Sequence, residues 1–392
     1  LDMSRGKPSA KQLDLTNDLL VSVSQEAGVK CRNGVDCRNY GLLEGLPEMR
    51  EIFAELLEVE PDEVLAGGNS SLNLMFDFLA QCMYHGIGGQ PAWMTQGRVK
   101  MLCPCPGYDR HFAVSEYLGM ELVCVPMTPQ GPDMDRVEEL VKDPLVKGMW
   151  NVPKYSNPDG YTYSDDTVRR IACLKPAAPD FRVIWDNAYC IHDLSDTPDR
   201  LLPIMKECKK AGNPDLVMLF ASTSKITFPG AGVAAVAGSK TNLAEIKARL
   251  SMQTICPDKI NQLRHIHKFK NAQGMVDHMK AHASLLRPKF DVVLKTLEQE
   301  LGGTGIARWT KPNGGYFISF YALPGCAART VALCKEAGVV MTPAGATFPY
   351  GKDPKDSNIR IAPTFPPLHE LETAMELFCI AAQLAALEHL AR

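Results

Sequence analysis

Between residues 100 and 237, short apolar runs alternate with helical stretches, and this alternation constrains the fold more than any other feature of the chain. The runs fall at 100–103, 121–126, 146–151, 182–185, 216–220 and 231–237. Between most of them lie segments with helical periodicity, such as DRHFAVSEYLG, MDRVEELVKD and SDDTVRRIACLK. A strand buried on both faces reads as an uninterrupted apolar run, and a parallel neighbour needs a crossover long enough to hold a helix. The pattern predicts an α/β fold with a mainly parallel central sheet and helices on both faces.

The flanks differ. The first forty residues are polar and turn-rich and read as an arm. The segment EMREIFAELL that follows sets Met49, Ile52, Phe53, Leu56 and Leu57 on one helical face. Residues 240–300 read as long helices. After Gly302 the pattern changes to GGYFISF, ALCKEAGVVMTP and NIRIAPT, closed by an amphipathic helix from His369 to Arg392. The expected division is an N-terminal arm or small-domain segment at 1–45, a large domain at 46–300 and a smaller α/β domain at 301–392.

Charge narrows the classes of partner. Lys and Arg total 42 against 45 Asp and Glu, a formal net charge of −3, which argues against a nucleic-acid binder. Thirteen cysteines are scattered with no C-x-x-C, so they read as reduced, small hydrophobic side chains. No leader-like N-terminus or membrane-length apolar run is present, and a soluble, cytoplasmic protein is expected.

Candidate chemistry sits at the ends of the apolar runs. Asp186 and Tyr189 close VIWDNAY, where a parallel sheet presents ligands; an acid there also suits a helix cap. Ser222, Thr223, Ser224 and Lys225 follow LVMLFA. Such a lysine is either solvated or desolvated, and desolvation lowers its pKa and makes it a nucleophile. Gly67-Gly68-Asn69-Ser70-Ser71 before a helix is either a capped loop or an anion cradle. Asn157-Pro158-Asp159-Gly160 is a turn. Arg360, inside the strand NIRIAP, needs a carboxylate, from the protein or from a substrate. Gly230-Ala-Gly232-Val-Ala-Ala235 fits a dinucleotide fingerprint, but VAAVAGSK reads as strand and turn rather than helix, so that reading is rejected. His265 with His267 and His278 with His282 lack a completing acid or thiol, and exposed helix histidines are expected there.

The order of these pieces carries more information than any one of them. A glycine-serine loop before a helix, Pro106-Gly107-Tyr108, NPDG, a strand with Asp-x-x-Tyr, Ser-x-Ser-Lys and a late strand arginine resemble the fold-type I, class I aminotransferases that use pyridoxal 5′-phosphate (PLP). RGKPS, PGYDRHF and NIRIAPTFPP are similar to the aspartate-aminotransferase-like subgroup akin to the MocR type.

The resemblance implies the following roles. Lys225 would bind PLP covalently and carry protons at the substrate Cα, and Asp186 would keep the pyridine nitrogen protonated. Tyr189 and Asn157 would bond the 3′-oxygen, and Tyr108 would stack on the ring. Ser70, Ser222, Ser224 and the backbone at Asn69 would take the phosphate. Tyr40 would reach the phosphate of a neighbouring subunit, implying a homodimer. Arg360 would grip the α-carboxylate, with Gly6 and Asn157 beside the substrate. PNGGYF at 312–317 and Pro343-x-Gly345-x-x-Phe348 match small-domain motifs. One departure is Val233, where most class I members carry a phosphate-binding arginine; Arg264, Lys268 and Lys270 are substitutes by charge alone. Amino transfer between amino acids and 2-oxo acids is implied, with aspartate and glutamate leading. A PLP lyase or decarboxylase and a ligand-sensing module are the competing readings. A sensor's DNA-binding domain would have no room before Tyr40.

Overall fold

The structure is a computed structural model and describes residues 1–391. Eight strands form the large sheet: β1 (Val64–Ala66), β2 (Lys100–Cys105), β3 (Glu121–Thr128), β4 (Gly131–Pro132), β5 (Val146–Asn151), β6 (Arg182–Asp186), β7 (Val217–Ser222) and β8 (Ala234–Gly238). Their order is β1-β8-β7-β6-β5-β2-β3-β4. The run from β7 through β6, β5 and β2 to β3 is parallel, as the apolar runs predict. Both edges are antiparallel: β8 pairs β7 and β1, and β4 pairs β3. The link from β7 to β8 explains one edge, because residues 223–233 are too few for a helical crossover. The rejected glycine fingerprint lies in this link and runs into β8, a strand.

Helices α1 (Ala10–Asp14) and α2 (Pro47–Leu57) precede the sheet. The others are α3 (Ser71–His85), α4 (Asp109–Tyr117), α5 (Met134–Leu140), α6 (Asp165–Ala172), α7 (Ile204–Lys210), α8 (Lys240–Gln253), α9 (Lys259–Phe269) and α10 (Ala272–Leu301). Apolar residues of α2, α5, α6, α7 and α9 cover one face of the sheet. Those of α3, α4 and α8 cover the other. With both faces buried, the central strands have no polar side to alternate, which is why they read as continuous runs.

A second core lies around a three-stranded antiparallel sheet, β9 (Ala307–Trp309), β10 (Ile318–Ala322) and β11 (Asn358–Ile361), with α11 (Ala327–Glu336) and α12 (Leu368–Leu390). Helix α10 joins the two: Met275 and Met279 belong to the first core, while Ala283, Leu286 and Phe290 belong to the second. The N-terminal segment is tied down by packing and backbone bonds. Met3 is fully buried in the second core, and its N–H donates to the Val340 carbonyl at 2.9 Å. Among the described residues no helix is long and apolar enough to cross a membrane.

Candidate active site

The carboxyl ends of β5, β6 and β7 open on a cavity of about 130 Å³. Ser70, Tyr108, Asn157, Asp186, Tyr189, Ser222, Ser224 and Lys225 all line it, so eight of the positions singled out from sequence meet in one place.

Lys225 stands in the short β7–β8 link. Its Nζ donates to Tyr189 Oη at 3.2 Å and lies 4.8 and 5.5 Å from the ring centres of Tyr189 and Tyr316. Burial pushes its pKa below the ordinary 10.5, and the charge of Arg360 adds to that push; Tyr108 and Asp186 oppose it. Burial likewise pushes the Tyr189 and Tyr108 hydroxyls up.

Asp186 ends β6. His111 Nε2 lies 2.9 Å from its Oδ2, and Oδ1 is buried without a partner among the described residues. His111 is itself held: it stacks on Trp150 at 4.0 Å and 6°, and Tyr108 meets it edge-on at 4.8 Å. The carboxylate is thereby fixed with one oxygen free. A buried carboxylate oxygen left unpaired is costly, so the arrangement suits a donor supplied by a ligand.

Ser70 caps α3 by position, yet its side chain makes no capping bond. Ser222 Oγ donates to Ser224 Oγ at 3.0 Å, and Ser224 Oγ donates to the Asn69 carbonyl at 3.3 Å. Three hydroxyls and the start of a 15-residue helix make a cradle for an anion. Lys225 is the one cation among the described residues lining the cavity.

Arg360, on β11, is buried. Its Nη1 donates to Asp109 Oδ1 at 2.8 Å and to Asn157 Oδ1 at 3.2 Å, while Nε has no partner among the described residues. Asp109 and Asn157 hold Nη1 and Thr342 Oγ1 meets Nη2 at 3.5 Å, which leaves Nε and the second Nη2 hydrogen for another carboxylate. The guanidinium also lies 4.9 Å from the Phe317 ring centre, and Gly6 presses on the same ring. A Cβ at Gly6 would come within 2.6 Å of Phe317, so only glycine lets the N-terminal segment pass here.

The whole sequence, residues 1–392, matches one family description, "Aspartate amino-transferase". The chain belongs to the aspartate amino-transferase family. It is an aminotransferase of fold type I, a class whose members use PLP. A Mycolicibacterium smegmatis relative named as an aminotransferase is 49% identical over 393 residues, covering 100% of this chain and 92% of its own. A Corynebacterium glutamicum aspartate aminotransferase is 46% identical over 100% of this chain and 90% of its own. The crystal structure of an aspartate transaminase from Corynebacterium glutamicum superposes with a TM-score of 0.97 at 46% identity, covering 99% of this chain and 92% of that one.

The cavity fits the cofactor of that family on its own geometry. It holds a desolvated amine, a free buried carboxylate oxygen for a ring N–H and a hydroxyl cradle for a phosphate. Several positions singled out from sequence lie outside the cavity. Tyr40 is 72% exposed and does not line the cavity of its own chain. Arg264, Lys268 and Lys270 do not line it either; Lys268 pairs with Asp18 at 2.5 Å. Val233 is buried, and its N–H donates to Thr223 Oγ1 at 2.9 Å.

The histidines expected on solvated helix faces are a correction: His265 and His282 are at most 1% exposed. His265 Nε2 lies 3.2 Å from Thr223 Oγ1 and 3.0 Å from Thr227 Oγ1, so it bonds the lysine loop rather than water. Among the described residues no cluster of His, Cys, Asp or Glu could hold a metal ion.

Sequence reasoning missed His111, Asp109 and Tyr316. For His111 a signal existed, because Tyr108 and His111 are three apart at the start of a helix and share a face.

Proposed function

We propose that this aminotransferase moves the amino group of aspartate or glutamate to a 2-oxo acid, with PLP held on Lys225. The observation that carries the reading is one cavity bounded by the Lys225 amine and the unpaired Asp186 oxygen, with Arg360 and its unpaired Nε bonded to Asn157 of the cavity wall. The 46% identity to the Corynebacterium glutamicum aspartate aminotransferase supports the choice of substrates. Bound PLP supplies an electron sink for the carbanion at the substrate Cα.

The chain's own residues do the rest. Lys225, with its pKa lowered by burial, takes and returns a proton more readily than a solvated lysine. Asp186, anchored by His111, holds a positive charge on the ring nitrogen. Asn157 and Tyr189 bond the 3′-oxygen, Tyr108 covers the ring, and Ser70, Ser222, Ser224 and the Asn69 backbone hold the phosphate. Arg360 binds the α-carboxylate beside Gly6. In this reading residues 1–45 and 301–392 form the smaller body, which closes on the 46–300 body and excludes water. Two copies assemble so that the exposed Tyr40 of each reaches the other's phosphate.

Adding amino acids one at a time to PLP-loaded protein tests the proposal. Aspartate or glutamate should bleach the visible absorption, and aspartate with 2-oxoglutarate should yield glutamate. Ammonia released without an acceptor acid would replace transfer by elimination.

Two predictions follow from the geometry. Arg360→Ala should raise KM for every amino acid by about 10- to 100-fold, the loss of a charged hydrogen-bond pair of about 1.5–3 kcal/mol. Asp109→Asn keeps the bond to Nη1 but removes the competing charge, so KM should fall. Unchanged KM values in both variants would place the carboxylate elsewhere.

The second concerns pH. Only the neutral amine attacks PLP, and burial lowers the Lys225 pKa below 10.5, so the neutral form is reached at lower pH than for a solvated lysine. The rate of PLP capture by the apoprotein should rise with pH and level off below pH 10.5. A rate still climbing beyond that value would mean a solvated lysine.

A further inference from the structure

The loop that carries Lys225 is held by side chains remote in sequence. Tyr316 Oη lies 3.4 Å from the Lys225 carbonyl, and His278 Nε2 lies 3.1 Å from the Ile226 carbonyl. These two side chains are linked. Gln12 Nε2 is 3.0 Å from Tyr316 Oη and 3.2 Å from His282 Nδ1, and His282 Nε2 is 3.1 Å from His278 Nε2. Gln12, His282 and Tyr316 are at most 1% exposed, so water does not substitute for these bonds.

Counting hydrogens gives the network a direction. At the start of α1, Gln12 Oε1 accepts from Ser9 N–H at 3.0 Å and from Ser9 Oγ at 3.3 Å. That fixes which end of the amide is which. Nε2 has two hydrogens and no acceptor capacity. It therefore donates to both Tyr316 Oη and His282 Nδ1. Tyr316 is left with its own hydrogen for the Lys225 carbonyl. His282, accepting at Nδ1, carries its hydrogen on Nε2, and with His278 Nε2 donating to the Ile226 carbonyl the two Nε2–H groups converge on that one acceptor rather than bonding each other.

Burial lowers the pKa of both histidines, that of His282 to about 4, so both are neutral at neutral pH and the tautomer is a fixed feature. The other groups facing the network are Lys225, Tyr189 and His192 around Tyr316, and Thr16, Lys268 and Asp18 near His278.

We propose that Gln12 is a positioning residue for Lys225: its amide, oriented by Ser9, sets the hydrogen-bond direction of Tyr316 and His282, and through them the backbone on which the lysine sits. The N-terminal segment is thereby part of the machinery that aims the amine. The inference rests on Lys225 being the reactive amine.

The test is Gln12→Glu. Glutamate keeps the bond from Ser9, since it serves the same capping arrangement. Toward Tyr316 and His282, however, it offers only acceptors. The Tyr316 hydrogen then turns from the Lys225 carbonyl to Glu, and His282 takes a hydrogen on Nδ1. We expect kcat to fall about tenfold, the contribution of one buried hydrogen bond, with KM changed less than about twofold. The pH midpoint of the lysine-bound cofactor's visible absorption should also shift. Unchanged kcat and midpoint would overturn the proposal.

A second measurement uses the wild-type apoprotein and needs no variant to be active. Nitrogen NMR of histidine-labelled protein, with His282→Asn to assign the signal, should show the hydrogen of His282 on Nε2. A hydrogen on Nδ1 would overturn the direction argued here. Failure of the two readings is distinguishable. Cofactor found on another lysine removes the functional reading and leaves the tautomer result intact. Cofactor on Lys225 with a silent Gln12→Glu removes the positioning role alone.

Discussion

Lys225→Ala should abolish the covalent attachment of PLP and lower turnover by about 10⁴-fold or more, the upper end of what positioned acid–base groups contribute. The variant should still fold. The lysine makes one side-chain hydrogen bond, to Tyr189, and burial works against its charged form. Cofactor should still bind reversibly, because the hydroxyls of Ser70, Ser222 and Ser224 and the free oxygen of Asp186 remain. The measurements are absorbance of the bound cofactor and single-turnover kinetics with aspartate. A variant that keeps turnover within tenfold of wild type would remove Lys225 from the reaction.

Asp186→Ala should retain most of the cofactor and lose about 10²- to 10³-fold in rate, as expected when one partner of a buried charge pair worth about 3–5 kcal/mol is removed. The cause is local. His111 holds Oδ2 and leaves Oδ1 unpaired; on the proposed reading Oδ1 would face the ring nitrogen and keep it protonated. Asp186→Asn preserves the shape and removes the charge, and should lose nearly as much. Steady-state kinetics beside a cofactor-binding titration separates the two effects. A rate near wild type in both variants would mean that the ring nitrogen is held elsewhere.

The sequence showed the parallel core and the line of the site more clearly than its supports. Strands β5, β6 and β7 were legible because burial on both faces leaves no polar position to break the run. The antiparallel edges were not, since the direction of β8 depends on the length of the link before it rather than on its composition. The N-terminal segment looked like an arm because Gln12, Thr16 and Leu19 keep a helical spacing and are buried, yet only Leu19 of the three is apolar, so no hydrophobic stripe marks the face. Gln12 and Thr16 meet His282 and His278 of α10, contacts between elements far apart in sequence.

The same reason divides the site. Asp186 ends an apolar strand, Lys225 follows one by three residues and Arg360 lies within one, where polarity is conspicuous. Their partners do not: Asp109 opens a helix, where an acid is ordinary, and His282 lies on a long helix whose exposed and buried faces its neighbours in sequence do not separate. Buried polar pairs are formed between elements, and spacing along the chain carries no trace of them.

The central claim is that one amine, that of Lys225, carries the cofactor. Borohydride reduction of PLP-loaded protein followed by peptide mapping tests it most directly. The account predicts a single reduced adduct, on the peptide containing Lys225. An adduct on another lysine, with Lys225 unmodified, would contradict it.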